Sequence, residues 1–285
     1  MFPNGQEIRK CIVPGEGKVL VGEDMKSAQL SIAAYYANNE DYYYNVATGV
    51  EFAEDGTYVG TSAHCVNARM FGLVTQRQWD EAKTTQDLDL ISSLSLIRKG
   101  SKGGSFAVIF GASGAKVAKT IGIPEKEGAK RRKQFLAEMG LDDVSSWLSE
   151  CERKYKHGGG FFIPLAFGYW LWNNSSHKSI NTIVQGFEAL AQKMAVIKFN
   201  QIVDQRGWAE VNKILDVHDE FLVECPESMA EEVGRMMGKC YSWAGEQIFK
   251  YHSNNPDHFA NYSPPKFAID LDGGFKVGCN YYAVH

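Results

Sequence analysis

Hydrophobic positions alternate with polar ones in a few short stretches of this chain and recur every third or fourth residue in several longer ones. Lys18-Val19-Leu20-Val21-Gly22-Glu23-Asp24 predicts a short strand that ends in acids. Ser27 to Asn38 follows as a helix, with Ala28, Ile32 and Tyr35 at helical spacing. Residues 41–60, rich in Tyr, Gly, Asp and Thr, predict loop or hairpin. Ser62 to Gly72 has a serine start and a glycine stop and predicts a helix, and Trp79 to Leu96 is helical in part. Pro124 opens a basic amphipathic helix to Met139, and a second helix spans about Asp142 to Tyr155. Gly158-Gly159-Gly160 ends it, and the aromatic run to Trp172 reads as β structure. The longest helical pattern is Ser179 to Gln205, with Ile183, Phe187, Leu190, Met194 and Ile197 on one side. Ile214 to Val217 and Phe221 to Val223 form a hairpin with acids at its tip, followed by a helix near residues 227–250. Pro256, Pro264 and Pro265 mark a loop before short terminal strands. The mixed order predicts an α+β fold: a small antiparallel sheet bearing the acids, with an inserted helical lobe.

At 285 residues there is ample chain for a large core, and 44% hydrophobic with 22% charged residues is ordinary for a globular protein. The net charge of -4 places any nucleic-acid binding on a local patch rather than on the overall field. No apolar run approaches the ~20 residues of a bilayer span, and residues 1–10 lack the apolar core of a signal peptide. The six cysteines are scattered without a CxxC pair, which suits reduced thiols and a cytoplasmic location.

The candidate chemistry lies at the strand ends. Asp24 closes one strand, and Asp219 sits in Val217-His218-Asp219-Glu220 at the hairpin tip, far along the chain. Taken alone, Asp24 also suits a helix N-cap and Asp219 a turn. Two carboxylates at strand ends are also what a two-metal phosphoryl-transfer site needs, because Mg²⁺ takes one or two carboxylates plus substrate phosphates. Between them lies Arg98-Lys99-Gly100-Ser101-Lys102-Gly103-Gly104-Ser105-Phe106. On a helix at roughly 100° per residue, Arg98, Lys102 and Phe106 share one face. Two cations suit a triphosphate and the ring suits a base or sugar, so the set reads as nucleotidyl transfer.

These elements resemble the family A (DNA polymerase I-like) DNA polymerases, in style closest to the replicases of short-tailed phages. The family's first motif matches Asp24 to Leu30, its fingers motif Arg98 to Phe110-Gly111, and its third motif Val217 to Glu220. Asn181-Thr182-Ile183-Val184-Gln185-Gly186 and the terminal Gly278 to His285 fall in the family's order as well. The resemblance implies a palm of small antiparallel sheet with inserted helical fingers: palm over 1–40, fingers over 41–175, and palm again over 176–285. It implies DNA-templated addition of dNTPs to a primer, with two Mg²⁺ at Asp24, Asp219 and Met25, and Asp24, Asp219 and Glu220 as catalytic residues. Glu220 orients water or the primer end, or is a solvated neighbour. His64, Arg98, Lys102, Phe106, Gln29 and Phe110 would contact the dNTP. Asn181, Gln185 and His218 would contact primer-template DNA. Arg98 to Gly111 is expected as a helix on this resemblance alone, since three interior glycines cost about 1 kcal/mol each. A single-subunit RNA polymerase fragment is the enzymatic alternative, and a non-catalytic DNA-binding or assembly subunit the other.

Two residues depart from the family pattern. Gln29 stands where the family usually has Glu, and Phe110 where it usually has Tyr. In the family that pair hydrogen-bonds and walls off the sugar 2′ position, so weaker rejection of ribonucleotides is expected here. The family places a thumb, often with a 3′-5′ exonuclease, before its first motif, and the stretch before Asp24 is too short for either. The resemblance therefore implies either a polymerase split between two chains, with a partner carrying the thumb and exonuclease, or a piece of a longer chain.

Overall fold

The structure, a computed structural model, describes residues 5–259 and 262–285; Met1 to Asn4 of the expected first palm segment lie outside it. In chain order its elements are α1 (Gly5–Lys10), β1 (Lys18–Asp24), α2 (Ala28–Tyr36), α3 (Glu40–Ala47), α4 (Ala63–Met70), α5 (Gln76–Thr85), α6 (Leu88–Ile109), α7 (Gly114–Ile121), α8 (Glu125–Met139), α9 (Leu141–Lys154), β2 (Lys156–His157), β3 (Gly160–Pro164), β4 (Trp170–Asn173), α10 (Ser179–Arg206), β5 (Asn212–Val217), β6 (Glu220–Pro226), α11 (Ala230–Asn254), β7 (Phe275–Gly278) and α12 (Tyr281–Val284). They form two compact units. One holds the residues up to Gln29 with Gly186–Tyr251 and Ala268–His285; the other holds Leu30–Gln185 and His252–Phe267. The divisions between these units fall at 29/30 and 185/186, with 252–267 in the second unit.

The first unit is built on an antiparallel sheet in the order β5-β6-β1-β7. Strand alternation sends Leu20, Gly22 and Asp24 to one face and Val21 and Glu23 to the other. On the first face Leu20 and Leu222 pack with Tyr281 and Val284 of the terminal turn. On the second face Phe221 lies edge-on to Phe199 of α10 and Tyr241 of α11, with both ring centroids at 5.5 Å. Truncating such a fully buried ring costs about 3–5 kcal/mol. The expected terminal strands reduce to β7 alone. The chain then turns into α12, where Asn280 Oδ1 accepts the Ala283 amide at 3.0 Å and caps the helix.

The second unit is mostly helical. Asn39 Oδ1 caps α3 by accepting the Tyr42 amide at 3.0 Å, so the first half of the expected 41–60 loop is helix. The second half closes through a bridge between Phe52 and Tyr58. The glycine-rich Arg98–Ile109 stretch is helical within α6 because its glycines meet α7. A Cβ on Gly104 would stand 2.3 Å from Ile121 Cγ2 and 3.1 Å from the Phe71 ring. The close approach of α7, an element that periodicity did not predict, compensates the weak local propensity. Phe71 in turn stacks on Phe135 of α8 at 4.5 Å. The aromatic run forms the antiparallel sheet β2-β3-β4 as expected.

The core face of α10 differs from the predicted stripe. Ile183, Phe187 and Leu190 are buried, but Ile197 is 58% exposed and Ala195 and Phe199 point inward instead. The predicted positions repeat every 3.5 residues, and a straight helix of 3.6 drifts from such a repeat by ~20° per heptad.

Candidate active site

The carboxylates gather in the first unit through strand register. Asp24, the last residue of β1, pairs across the ladder with Glu220, the first of β6. Only His218 and Asp219 separate β5 from β6, so Asp219 stands beside that pair. The Met25 amide donates to the Asp219 carbonyl at 3.0 Å and fastens the two segments. His218 takes φ +54° at the turn, a left-handed conformation that costs a non-glycine residue about 1 kcal/mol, and its ring is exposed at the tip. Partial desolvation, then the neighbouring Asp219 and Glu220 carboxylates, push Asp24 up to about 6.

Glu220 is tied down rather than solvated: it is 5% exposed, and its Oε2 accepts from Tyr281 Oη at 2.9 Å and from His285 Nδ1 at 2.7 Å. Its buried Oε1 has no hydrogen-bond partner among the described residues. Clustered carboxylates with an unsatisfied oxygen suit a hard divalent cation. No group of three or more metal-ligating side chains comes together among the described residues, and Mg²⁺ with substrate phosphates needs only one or two. Met25 fits such a set only through its main-chain oxygen, because its side chain is 3% exposed and a thioether is a soft ligand.

A buried polar network holds the hairpin from behind. Gln192 of α10 donates to Asp216 Oδ1 at 2.9 Å and to the Glu220 carbonyl at 3.1 Å. The Tyr241 hydroxyl of α11 is shared between Gln192 Oε1 and the Asp219 carbonyl. The sequence reading missed Gln192, Tyr241, Tyr281 and His285. Its one available signal was a glutamine inside an otherwise apolar helix face. It also missed Glu188, a neighbour of Gln29. Burial and the nearby Asp219 push Glu188 up to about 7, and its Oε1 is buried without a partner.

Glu23 lies on the opposite face from Asp24 and is 1% exposed. Burial and the adjacent Asp272 carboxylate push it up to about 8, while the Gly274 amide donates to its Oε1 at 3.2 Å. The unfolded chain releases this proton near pH 4.5, and the folded protein keeps it until about 8. Folding therefore takes up a proton in that window. Stability is greatest on its acid side and falls as pH rises, by at most ~1.4 kcal/mol per pH unit. Glu23→Gln is expected to flatten the Tm-versus-pH curve between pH 5 and 8 in metal-free buffer. A slope equal to wild type would contradict the assignment.

The second unit gathers cations. Arg98 of α6 is oriented by Glu51, its Nε lying 3.1 Å from Glu51 Oε2 and 3.3 Å from Ser62 Oγ. Ser95 donates to the other Glu51 oxygen at 2.6 Å. Burial, then the charges of Arg98 and Lys102, push His64 down to about 4, so it is neutral at pH 7 and lies beside both. Ser101 Oγ, 2.7 Å from the His64 carbonyl, ties α6 to α4. Lys102 is exposed, and Phe106 sits one turn from Phe110 with centroids 6.1 Å apart. Asn181 donates to Gln185 Oε1 at 3.4 Å on the first turns of α10.

The DNA polymerase family A model matches residues 2–250. Thermostable DNA polymerase I of Thermus thermophilus is 24% identical over 258 residues, which is 85% of this chain and 27% of that protein. DNA polymerase I of Aquifex aeolicus is 26% identical over 251 residues, covering 86% of this chain and 39% of its own length. Among solved structures, the POL domain of Pol1 from M. smegmatis, in complex with DNA primer-template and dNTP, superposes with a TM-score of 0.64. It is 18% identical and covers 99% of this chain and 43% of that one, which establishes the polymerase-domain fold. The chain thus spans well under half the length of these relatives, and the second polymerase chain expected from the sequence gains no support from them. No described helix is long and apolar enough to cross a membrane.

Proposed function

The chain belongs to DNA polymerase family A, and we propose that it is the catalytic region of a DNA-templated DNA polymerase, adding dNTPs to a primer 3′ end. One observation carries this reading: Asp24 at the end of β1 pairs across the ladder with Glu220, with Asp219 beside them at the hairpin tip, and partial desolvation followed by those two carboxylates raises Asp24. Asp24 and Asp219, with the Met25 main-chain oxygen, would hold two Mg²⁺, and such ions supply Lewis-acid stabilisation of charge on a transferring phosphoryl group. Glu220, fixed by Tyr281 and His285, keeps the hairpin tip in register. The Arg98 guanidinium, held by Glu51 and Ser62, and the exposed Lys102 ammonium bind triphosphate oxygens, one as a fork and one as a point charge. Neutral His64 donates a hydrogen bond to the same phosphates without adding charge. Phe106 stacks on the incoming nucleotide. Asn181 and Gln185 approach the minor groove, where every base pair offers an acceptor, and His218 approaches the primer backbone.

A primer-extension assay with Mg²⁺ tests the reading. Extension with dNTPs supports it, extension with NTPs would favour an RNA polymerase, and failure with both would favour an assembly subunit.

Sugar selection is placed on Glu188 together with Gln29, because the two side chains are neighbours. The acid that the family usually carries at position 29 is here delivered by α10, so selection against the 2′-hydroxyl rests on Glu188 as well as Gln29. Glu188→Ala removes that carboxylate, and losing a hydrogen-bonding group at such a site costs about 1–3 kcal/mol. The variant is expected to lose about tenfold in the dNTP over NTP ratio of kcat/KM. An unchanged ratio would remove Glu188 from the site.

A further inference from the structure

The sheet β2-β3-β4 carries an exposed aromatic face that the polymerase reading leaves unused. Its register places Phe162 opposite Trp172 and Pro164 opposite Trp170, so the two tryptophans share a face. Trp172 meets Phe162 edge-on at 5.1 Å and 62°, and Trp170 meets Tyr155 at 4.9 Å and 76°. Those ring contacts hold the tryptophans upright without covering them: Trp170 remains 49% and Trp172 47% exposed. Tyr155, His157, Phe162 and Trp170 border an open recess of about 500 Å³.

The segment that builds this face is rich in cations, although Arg153 is paired with Glu150. No Asp or Glu stands between Glu152 and Glu188, while Arg153, Lys154, Lys156 and Lys178 do, in a chain whose net charge is -4. Lys154 and Lys156 are exposed on either side of Tyr155, and Lys154 Nζ lies 5.2 Å from that ring's centroid. Exposed aromatic rings flanked by the exposed Lys154 and Lys156 are complementary to a polyanion with flat, apolar bases.

Ring spacing selects the strandedness. Residues two apart on a strand are about 6.7 Å apart, whereas bases within a duplex strand rise about 3.4 Å. Adjacent bases of a duplex cannot each meet one of these rings, but those of an unstacked strand can. We propose that this face binds single-stranded DNA, with bases stacked on Trp170 and Trp172 and phosphates held by Lys154 and Lys156.

The test is fluorescence anisotropy of the intact chain with a fluorescein-labelled oligo-dT probe and with a blunt duplex. It is independent of the active-site reading, because no nucleotide addition is measured. Base stacking on an aromatic side chain is worth enough that Trp170→Ala with Trp172→Ala should weaken oligo-dT binding by about tenfold or more. Trp170→Phe with Trp172→Phe should keep most of it, and the duplex affinity of both variants should match wild type. Lys154→Glu with Lys156→Glu leaves the rings in place and should lower both the affinity and its salt dependence. That second variant carries the test should the alanine pair fail to fold by circular dichroism. Wild-type oligo-dT affinity in a folded alanine pair or in the lysine pair would overturn the proposal, as would equal losses for oligo-dT and duplex.

Discussion

Replacing either Asp24 or Asp219 by alanine is expected to cut nucleotide addition by about a thousandfold or more while leaving the fold intact. A metal-assisted site draws several kcal/mol of transition-state stabilisation from its charge, and each 1.36 kcal/mol is tenfold in rate. Neither side chain belongs to the core: Asp24 is exposed, Asp219 is half-buried, and the Met25–Asp219 contact that joins their segments is main chain to main chain. Removing one carboxylate also relieves the repulsion that raises Asp24, so the metal-free variants should melt at or slightly above the wild-type temperature near neutral pH. Primer extension under single-turnover conditions, with circular dichroism as the control, checks both halves. Activity above about one per cent in either folded variant would sink the assignment of these acids to a metal-dependent site.

The second large effect concerns Phe106, one helical turn beyond Lys102 on α6. A nucleotide without a 3′-hydroxyl leaves its polar surroundings unsatisfied, and a phenylalanine ring offers nothing in return. Phe106→Tyr supplies a hydroxyl on the same ring. A hydrogen bond involving a charged phosphate is worth about 1.5–3 kcal/mol, so use of dideoxynucleotides relative to normal ones should rise by roughly ten- to a hundredfold. The rate with ordinary dNTPs should change little. If both forms use dideoxynucleotides equally, Phe106 does not face the sugar.

Much of the fold was legible where a single physical signal dominated. β1, the acidic hairpin, α8, α9 and α10 all follow from periodicity with clear stops, and the α10 stripe failed only where a 3.5-residue repeat drifts off a 3.6-residue helix. The α3 and α7 helices were not legible, because α3 depends on the Asn39 cap in a tyrosine-rich stretch and α7 is short and begins with glycine. The site shows the same division. Asp24 and Asp219 announce themselves at strand ends, whereas what positions them does not. Glu51 lies 47 residues before Arg98, and Tyr281 lies 61 residues after Glu220. Such long-range pairs leave no local trace. Glu23 and Asp24 look alike as letters, yet strand alternation buries one carboxyl and presents the other.

The bare patches that let α6 meet α7 recur one helix further on. A Cβ on Gly128 of α8 would stand 2.0 Å from the carbonyl oxygen of Gly114 in α7. The α6 glycines thus seat against the Thr120 and Ile121 side chains of α7, and α8 meets α7 backbone to backbone, leaving little of the side-chain cushion across which packed helices usually slide. Any displacement of α6 would carry α7 and α8 with it, so the moving body would be a slab from Leu88 to Met139 rather than one rod. Its pivots then belong at the slab's margins, in Gln86-Asp87 before α6 and Gly140 after α8. Both Gln86 and Gly140 already adopt the left-handed backbone, at φ +55° and +86°.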